Sequence, residues 1–333
     1  METVKLGPFT VPRLFVGLWQ LSSNAWGTAP VSKIRSEMKR HFDEGFIAFA
    51  DHYGSAELLF GEFRQSLADP TSVVGATKWC VFRQTTPTRA VVEAAINERL
   101  VRMKCQSVDI LQFHWQDYSD KGYLEALTHL QALQREGMIK AIGLCNFDAI
   151  RTDEICTQLG PGAIISNQVQ FSLIDTRPLH GMDHVCEKHG IKLLTYGTLC
   201  GGFLADEWLG KPEPEAYQGS MTPSQRKYLD MIIKAWGDWM LFQSLLSVLR
   251  AIGDRHGGVS IANVATRWVL QHPFVGAVLV GTRLGLSAHT EDNRRVFSFS
   301  LTGEDKQQIE AILDQSNGRK LITIIGDCGA EYR

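Results

Sequence analysis

Nothing in the 333 residues approaches the ~18 consecutive apolar positions of a membrane-spanning helix. The start, Met1-Glu2-Thr3-Val4-Lys5, lacks the basic-then-apolar order of a secretory leader. The seven cysteines (80, 105, 145, 156, 186, 200 and 328) form no CxxC pair, and most stand inside apolar runs. That reads as reduced thiols in a cytoplasmic protein, not as a disulfide frame. Excess charge is also lacking: 34 basic against 36 acidic side chains leave −2. Neither nucleic acid nor an acidic membrane surface is therefore expected as a partner. There is no GxGxxG loop, no low-complexity linker and no internal repeat beyond a strand–helix unit. What remains is a composition of 44% hydrophobic and 21% charged residues, ordinary for a globular chain. The length suits one large α/β domain or two medium ones, with an ample core.

Eight short apolar runs read as strands: 14–17, 46–50, 72–78, 108–114, 139–144, 163–169, 191–196 and 276–280. Helical patterns lie between them at 32–44, 56–66, 89–104, 123–136, 148–158, 179–188 and 261–271. The alternation predicts parallel strands covered by helices. Eight repeats predict a closed (β/α)8 TIM barrel, an α/β fold that takes 1–333 as one domain. Three additions decorate it. Residues 4–11, with a Gly7-Pro8 turn, predict an N-terminal hairpin capping the barrel bottom. Residues 198–259, after the seventh strand, are too long for a plain connection and are expected to help build a substrate pocket. They hold polar turns at 210–217 and a Trp- and Leu-rich stretch, 228–252, that should be helical. The tail, 300–333, should be a helix opened by Thr302 and Glu304, followed by an apolar patch at 321–325.

Active sites of such barrels lie at the carboxyl ends of the strands. Tyr53 follows the second strand, Lys78 closes the third and His114 the fourth. Cys145-Asn146 follow the fifth, Asn167-Gln168 close the sixth, Tyr196 the seventh, and Gly281-Thr282-Arg283 follow the eighth. Polar groups at the ends of buried strands are costly unless paired or useful. His180 and His184 have the spacing of a metal pair on a helix face, but no third ligand is evident and no metal is expected. Cys145 has no adjoining histidine to make it a nucleophile. Trp236 and Trp239 read as helix packing.

Six motifs in order, G-F-x-x-F…A-D-H-Y-G-S-A-E (45–57), T-K-W (77–79), L-Q-F-H-W (111–115), E-G-M-I-K-A-I-G-L-C-N-F (136–147), N-Q-V-Q-F-S-L (167–173) and V-G-T-R (280–283), resemble those of the aldo-keto reductases over nearly the whole chain. The resemblance implies that Tyr53 is the general acid of carbonyl reduction. A phenol with a pKa near ~10 needs a cation beside it to release a proton readily. Lys78 would be that cation, and His114 would orient the substrate carbonyl. Trp19, Trp26, Trp79 and Trp115 would line an apolar pocket. The cofactor implied is NADP(H). Tyr196 would stack on the nicotinamide, and Asn146 and Gln168 would hold its carboxamide. Cys145, where the family usually has serine, would make a weaker contact. Gly281 and Thr282 would lie along the cofactor, Arg283 would pair with the 2′-phosphate, and His289 and Asn293 would stand on the adenine side.

One departure stands out. Relatives read G-F-x-x-F-D-x-A-D-H-Y-G, whereas this chain lacks two residues after Phe49, among them the aspartate that pairs with the lysine. The position five before the tyrosine is Ala48. Three consequences are open: Lys78 loses its partner, the shorter loop drags Tyr53 off its position, or Asp51 swings in as a substitute. The leading expectation is an NADPH-dependent reductase of a bulky or aromatic carbonyl compound, a monomer or weak homo-oligomer. The alternatives are a non-redox enzyme (a dehydratase, isomerase or cyclase) using Tyr53, Lys78 and His114 for acid–base work, and a non-catalytic NADP-binding subunit.

Overall fold

Short strands buried on both faces build the centre of the molecule, which a computed structural model describes except at residues 51, 217–220 and 288. The strands are β1 (Thr3–Leu6), β2 (Phe9–Pro12), β3 (Leu14–Gly17), β4 (Ala48–Ala50), β5 (Val74–Val81), β6 (Val108–Trp115), β7 (Ile139–Cys145), β8 (Ser166–Gln170), β9 (Lys192–Tyr196) and β10 (Val275–Gly281). From β3 to β10 all pair in parallel and close as β10-β3-β4-β5-β6-β7-β8-β9, the expected (β/α)8 barrel. The helices are α1 (Val31–Asp43), α2 (Ala56–Gln65), α3 (Arg89–Arg102), α4 (Gly122–Arg135), α5 (Ala149–Leu159), α6 (Met182–His189), α7 (Pro223–Asp230), α8 (Trp239–Arg255), α9 (Ile261–Leu270), α10 (Thr290–Arg294), α11 (Gly303–Leu313) and α12 (Leu321–Ile325).

Alternate side chains fill the barrel axis: Phe15, Ala48, Ala50, Val74, Ala76, Ile110, Ala141, Leu194, Ala277 and Leu279. Their neighbours turn outward against the helices, as Phe49 does on Phe60 and Phe63 and Phe113 on Phe147. Gly75 also faces outward, where a Cβ would stand 2.4 Å from the Phe60 ring, so its small size lets α2 lie close to the sheet. Hairpin β1–β2 pairs antiparallel and inserts Leu6 and Val11 into the axial cluster, closing the floor.

The insertion after β9 differs from its expected single helix. Helix α7 passes into a π-helical turn, Met231–Trp236, and stops at Gly237. Asp238 then opens α8, its side chain accepting from the Leu241 amide. Trp236 is fully buried, and Trp239 packs on Phe203, Trp208 and Phe242. In the tail, Thr302 opens α11 in a capping box, but the reciprocal partner is Asp305 and not Glu304. Helix α6 begins only at Met182, so His180 and His184 share no helix face. Among the described residues no helix is long and apolar enough to cross a membrane.

Candidate active site

Above the apolar axis the inward positions become polar. Alternation from Val74 and Ala76 turns Lys78 and Cys80 inward on β5, and from Ile110 turns Gln112 and His114 inward on β6. Lys78 is 3% exposed and His114 2%. Tyr53, in the loop between β4 and α2, brings its Oη to 3.3 Å from Lys78 Nζ, and the ammonium stands 4.8 Å from the centroid of the same ring. The shorter loop therefore has not carried Tyr53 away from Lys78. Ala48 faces the barrel axis with no carboxylate to offer. The reading of Asp51 as a substitute falls outside the described residues.

Three residues given no role in the sequence reading, Glu57, Thr77 and Arg102, hold this loop. Glu57, 2% exposed on α2, accepts from Thr77 Oγ1 and from Arg102 Nε on α3. Arg102 Nη2 also donates to the Gly54 carbonyl, one residue past Tyr53. Gly54 has φ 53°, and a Cβ there would meet the Leu21 carbonyl at 3.0 Å. Glu57 lay within the motif at 45–57, but Arg102 sits on a different helix and only the tertiary fold reveals it. His52 was also passed over. Its ring lies 4.4 Å from that of Tyr53, with Nε2 3.6 Å from Cys80 Sγ. Burial first, then the charge of Lys78, pushes its pKa down to about 3, so the imidazole is neutral.

His114 is fixed by Nδ1, 2.9 Å from the Cys145 carbonyl oxygen. A carbonyl only accepts, so Nδ1 carries the proton and the neutral ring presents a lone pair at Nε2. Burial, with Lys78 adding to it, lowers the pKa of His114 despite that hydrogen bond. His114 Nε2 is buried and has no partner among the described residues. Phe82, 59% exposed, stands 5.4 Å from the same ring on the outer side.

The residues assigned to the nicotinamide gather at the ends of β7, β8 and β9. Tyr196 Oη donates to Asn146 Oδ1 at 2.9 Å. Burial, reinforced by Tyr332, raises the Tyr196 phenol well above its ordinary pKa, so it keeps that proton. Asn146 sits at φ 61° just past β7. Cys145 Sγ donates to Gln168 Oε1 at 3.8 Å, while Gln168 Nε2 is buried and without a partner among the described residues. That orphaned donor, beside an amide and a phenol, fits a carboxamide. Asn167 instead spends its amide on the Phe147 carbonyl and Thr152, bracing the loop into α5.

The phosphate-side residues lie past β10. Thr282 donates from both its amide and Oγ1 to the Gly17 carbonyl. Gly281 leaves room for the Gln20 side chain, which a Cβ would meet at 2.4 Å. Arg283 and His289 are exposed, and Arg283 makes no ion pair among the described residues. Asn293, half-buried on α10, edges a small cavity with Asn263, Thr266 and Val280.

Two of the four tryptophans expected in the pocket stand at the mouth. Trp19 lies 4.8 Å from Trp26 and 6.4 Å from Tyr53, and Trp26 Nε1 reaches Ser224 Oγ on α7. Trp79 and Trp115 face the other way. Trp79 packs on Phe113 at 5.3 Å, and Trp115 on Tyr123, with its Nε1 donating to the Asp117 carbonyl. The reason is the strand period: once Lys78 and His114 point inward, the next residue of each strand points out.

Fold and site together define a (β/α)8-barrel protein with a tyrosine–lysine pair and a histidine at the strand ends. The sequence profile of the Aldo/keto reductase family matches residues 13–314, and the chain belongs to that family. It is 23% identical over 316 residues to the aldo-keto reductase YhdN of Bacillus subtilis, covering 91% of this chain and 90% of that protein. It is also 23% identical over 291 residues to aflatoxin B1 aldehyde reductase member 2 of Mus musculus, covering 83% and 77%. The glycerol dehydrogenase AKR11B4 from Gluconobacter oxydans superposes with a TM-score of 0.76 at 22% identity, over 94% of this chain and 95% of that one, which marks a shared fold. Family membership supports the coarse class of an oxidoreductase.

Proposed function

We propose that the protein is an NADPH-dependent oxidoreductase that reduces the carbonyl of a bulky or aromatic small molecule in the cytoplasm. The observation that carries this reading is the Tyr53 Oη to Lys78 Nζ distance of 3.3 Å in a buried barrel mouth. Gln168 and Asn146 would hold the carboxamide, Tyr196 would lie against the ring, and Arg283 would take the 2′-phosphate. Reduced nicotinamide, when bound there, supplies the hydride. Tyr53 supplies the proton at the carbonyl oxygen, and the Lys78 charge stabilises the phenolate left behind. His114 Nε2, as a lone-pair acceptor, receives the hydrogen bond of the product hydroxyl and holds that oxygen in place. Trp19, Trp26 and Phe82 supply apolar walls for the substrate.

Two named relatives point the same way, an aldehyde reductase and a methylglyoxal reductase. The lone pair at His114 Nε2 accepts from an alcohol hydroxyl, so the reverse oxidation is included. Ala48 and the two-residue gap favour a second reading, in which Tyr53, Lys78 and His114 perform acid–base chemistry with no net redox change. A non-catalytic NADP-binding role would leave the same residues idle.

The test is reduced-nicotinamide absorbance with a panel of aldehydes and ketones, beside cofactor binding by fluorescence quenching. Turnover that falls ~10²–10⁴-fold in Lys78→Met is the expected result. Binding without turnover sinks the redox reading, and product without cofactor consumption installs the second one.

A further inference from the structure

Past α12 the chain turns at Gly326 and runs across the barrel mouth to Arg333. Each step of that run is fastened. Asp327 Oδ2 accepts from the Ala149 amide at the start of α5 at 3.0 Å. Gly329 lies flat on Asn146: a Cβ there would stand 2.1 Å from the Asn146 carbonyl oxygen, so only glycine fits. Arg333 Nη1 donates to the same oxygen at 3.2 Å, with its guanidinium 4.5 Å from the Tyr118 ring. Tyr332 Oη accepts from Lys227 Nζ at 3.0 Å beside Tyr196, and its ring meets the His114 ring edge-on at 6.3 Å. Lys227, on α7, stands 5.1–5.7 Å from the ring centres of Tyr196, Tyr228 and Tyr332, a cation boxed by aromatic faces.

The segment thus engages His114, Asn146 and Tyr196 at once. A planar ring stacked on Tyr196 and facing a substrate held by His114 needs the space where Tyr332 sits. We infer that the barrel mouth is a binding site for an acidic–aromatic peptide, Gly-Ala-Glu-Tyr-Arg, filled by the chain's own residues 329–333, and that this segment and the nicotinamide ring exclude each other. The inference rests on the cofactor reading above for its second half only.

The fastening is built to release. Glu331 accepts from Arg177 at 3.0 and 3.1 Å, and Arg177 also donates to the Gly326 and Asp327 carbonyls. Arg177 is fully buried, and it also grips Asp175, a partner outside the tail, through Nε and Nη2 at 2.9 and 2.7 Å. Departure of the tail leaves no buried charge without a partner, so the large penalty of breaking a buried ion pair is avoided.

The experiment uses the full chain. NADPH binding is followed by fluorescence for the unaltered protein, Tyr332→Ala and Glu331→Gln, and hydrogen exchange at residues 327–332 is read with and without NADPH. Apparent affinity scales with the fraction of molecules whose seat is open, so a seat nine-tenths filled predicts about tenfold tighter NADPH binding in Y332A. E331Q moves the same way by less. Added NADPH speeds exchange across 327–332, and a synthetic peptide of residues 327–333 competes with NADPH on Y332A. Weaker or unchanged NADPH binding in both variants, with tail exchange slowed or unmoved by NADPH, overturns the inference and makes Tyr332 part of the cofactor site. If no form binds NADPH, the dinucleotide reading falls separately. Exchange in the unaltered chain then decides the seating: slow exchange upholds it and fast exchange overturns it.

Discussion

Arg102→Ala should separate positioning from chemistry at this site. Arg102 joins Glu57 to the Gly54 carbonyl, and so ties helix α3 to the loop that carries Tyr53. Truncation leaves a carboxylate 2% exposed with the Thr77 hydroxyl as its remaining partner. Removing one partner of a buried pair costs roughly 3–5 kcal/mol. The Arg102 side chain is 27% exposed, so water takes over part of its role. A loss of about 2–3 kcal/mol is therefore expected from urea unfolding near neutral pH. Release of Gly54 also frees Tyr53, and a misplacement of ~1 Å costs about 10²-fold in kcat. The NADPH dissociation constant should stay put, because nothing in the Arg102 cluster touches Asn146, Gln168 or Tyr196. A double-mutant cycle with Glu57→Gln should return a coupling of about 1–3 kcal/mol. If R102A stays within about 0.5 kcal/mol of the parent, keeps its kcat, or adds to E57Q without coupling, the loop is held by something else and the reasoning is wrong.

Arg283→Ala should weaken NADPH about 10- to 100-fold, the worth of charge-assisted hydrogen bonds to a phosphate, and leave NADH unaffected; equal losses for both cofactors would place the guanidinium elsewhere. Trp79→Leu should cost roughly 1–3 kcal/mol in unfolding and leave the KM for the carbonyl unmoved, because Trp79 packs on Phe113 in the helix layer; a raised KM would return it to the pocket. Burial lowers the pKa of His52 to about 3 and of His272, packed among Phe171, Trp268 and Phe274, to about 4. The unfolded chain takes up those protons below about pH 6.5 and the folded chain does not, so their contribution is complete above that pH. It is lost as pH falls from there toward 4, with a slope of at most ~1.4 kcal/mol per unit for each histidine. His272→Asn should flatten the unfolding curve in that window, and an unchanged slope would refute the assignment.

The barrel was legible because each strand is a short apolar run between helical patterns, and all eight runs 14–17 to 276–280 recur as β3–β10 with ends shifted by a few residues. Tyr53, Lys78 and His114 were legible because strand ends of such barrels carry the polar residues. The break at Gly237 is not legible in the sequence, because Trp236 and Trp239 keep a helical apolar rhythm across it that masks the cap by Asp238. The direction of Trp79 and Trp115 was available from alternation and was overridden by their nearness to Lys78 and His114. Arg102 and Lys227 carried no local signal. Their meaning comes from helices that meet the site only in three dimensions, as does the path of 326–333 over Asn146.

The β1–β2 hairpin seats Leu6 and Val11 beneath an axis already filled by side chains, so the lower end of the cylinder offers no passage. Any guest meets the polar strand ends from one side only.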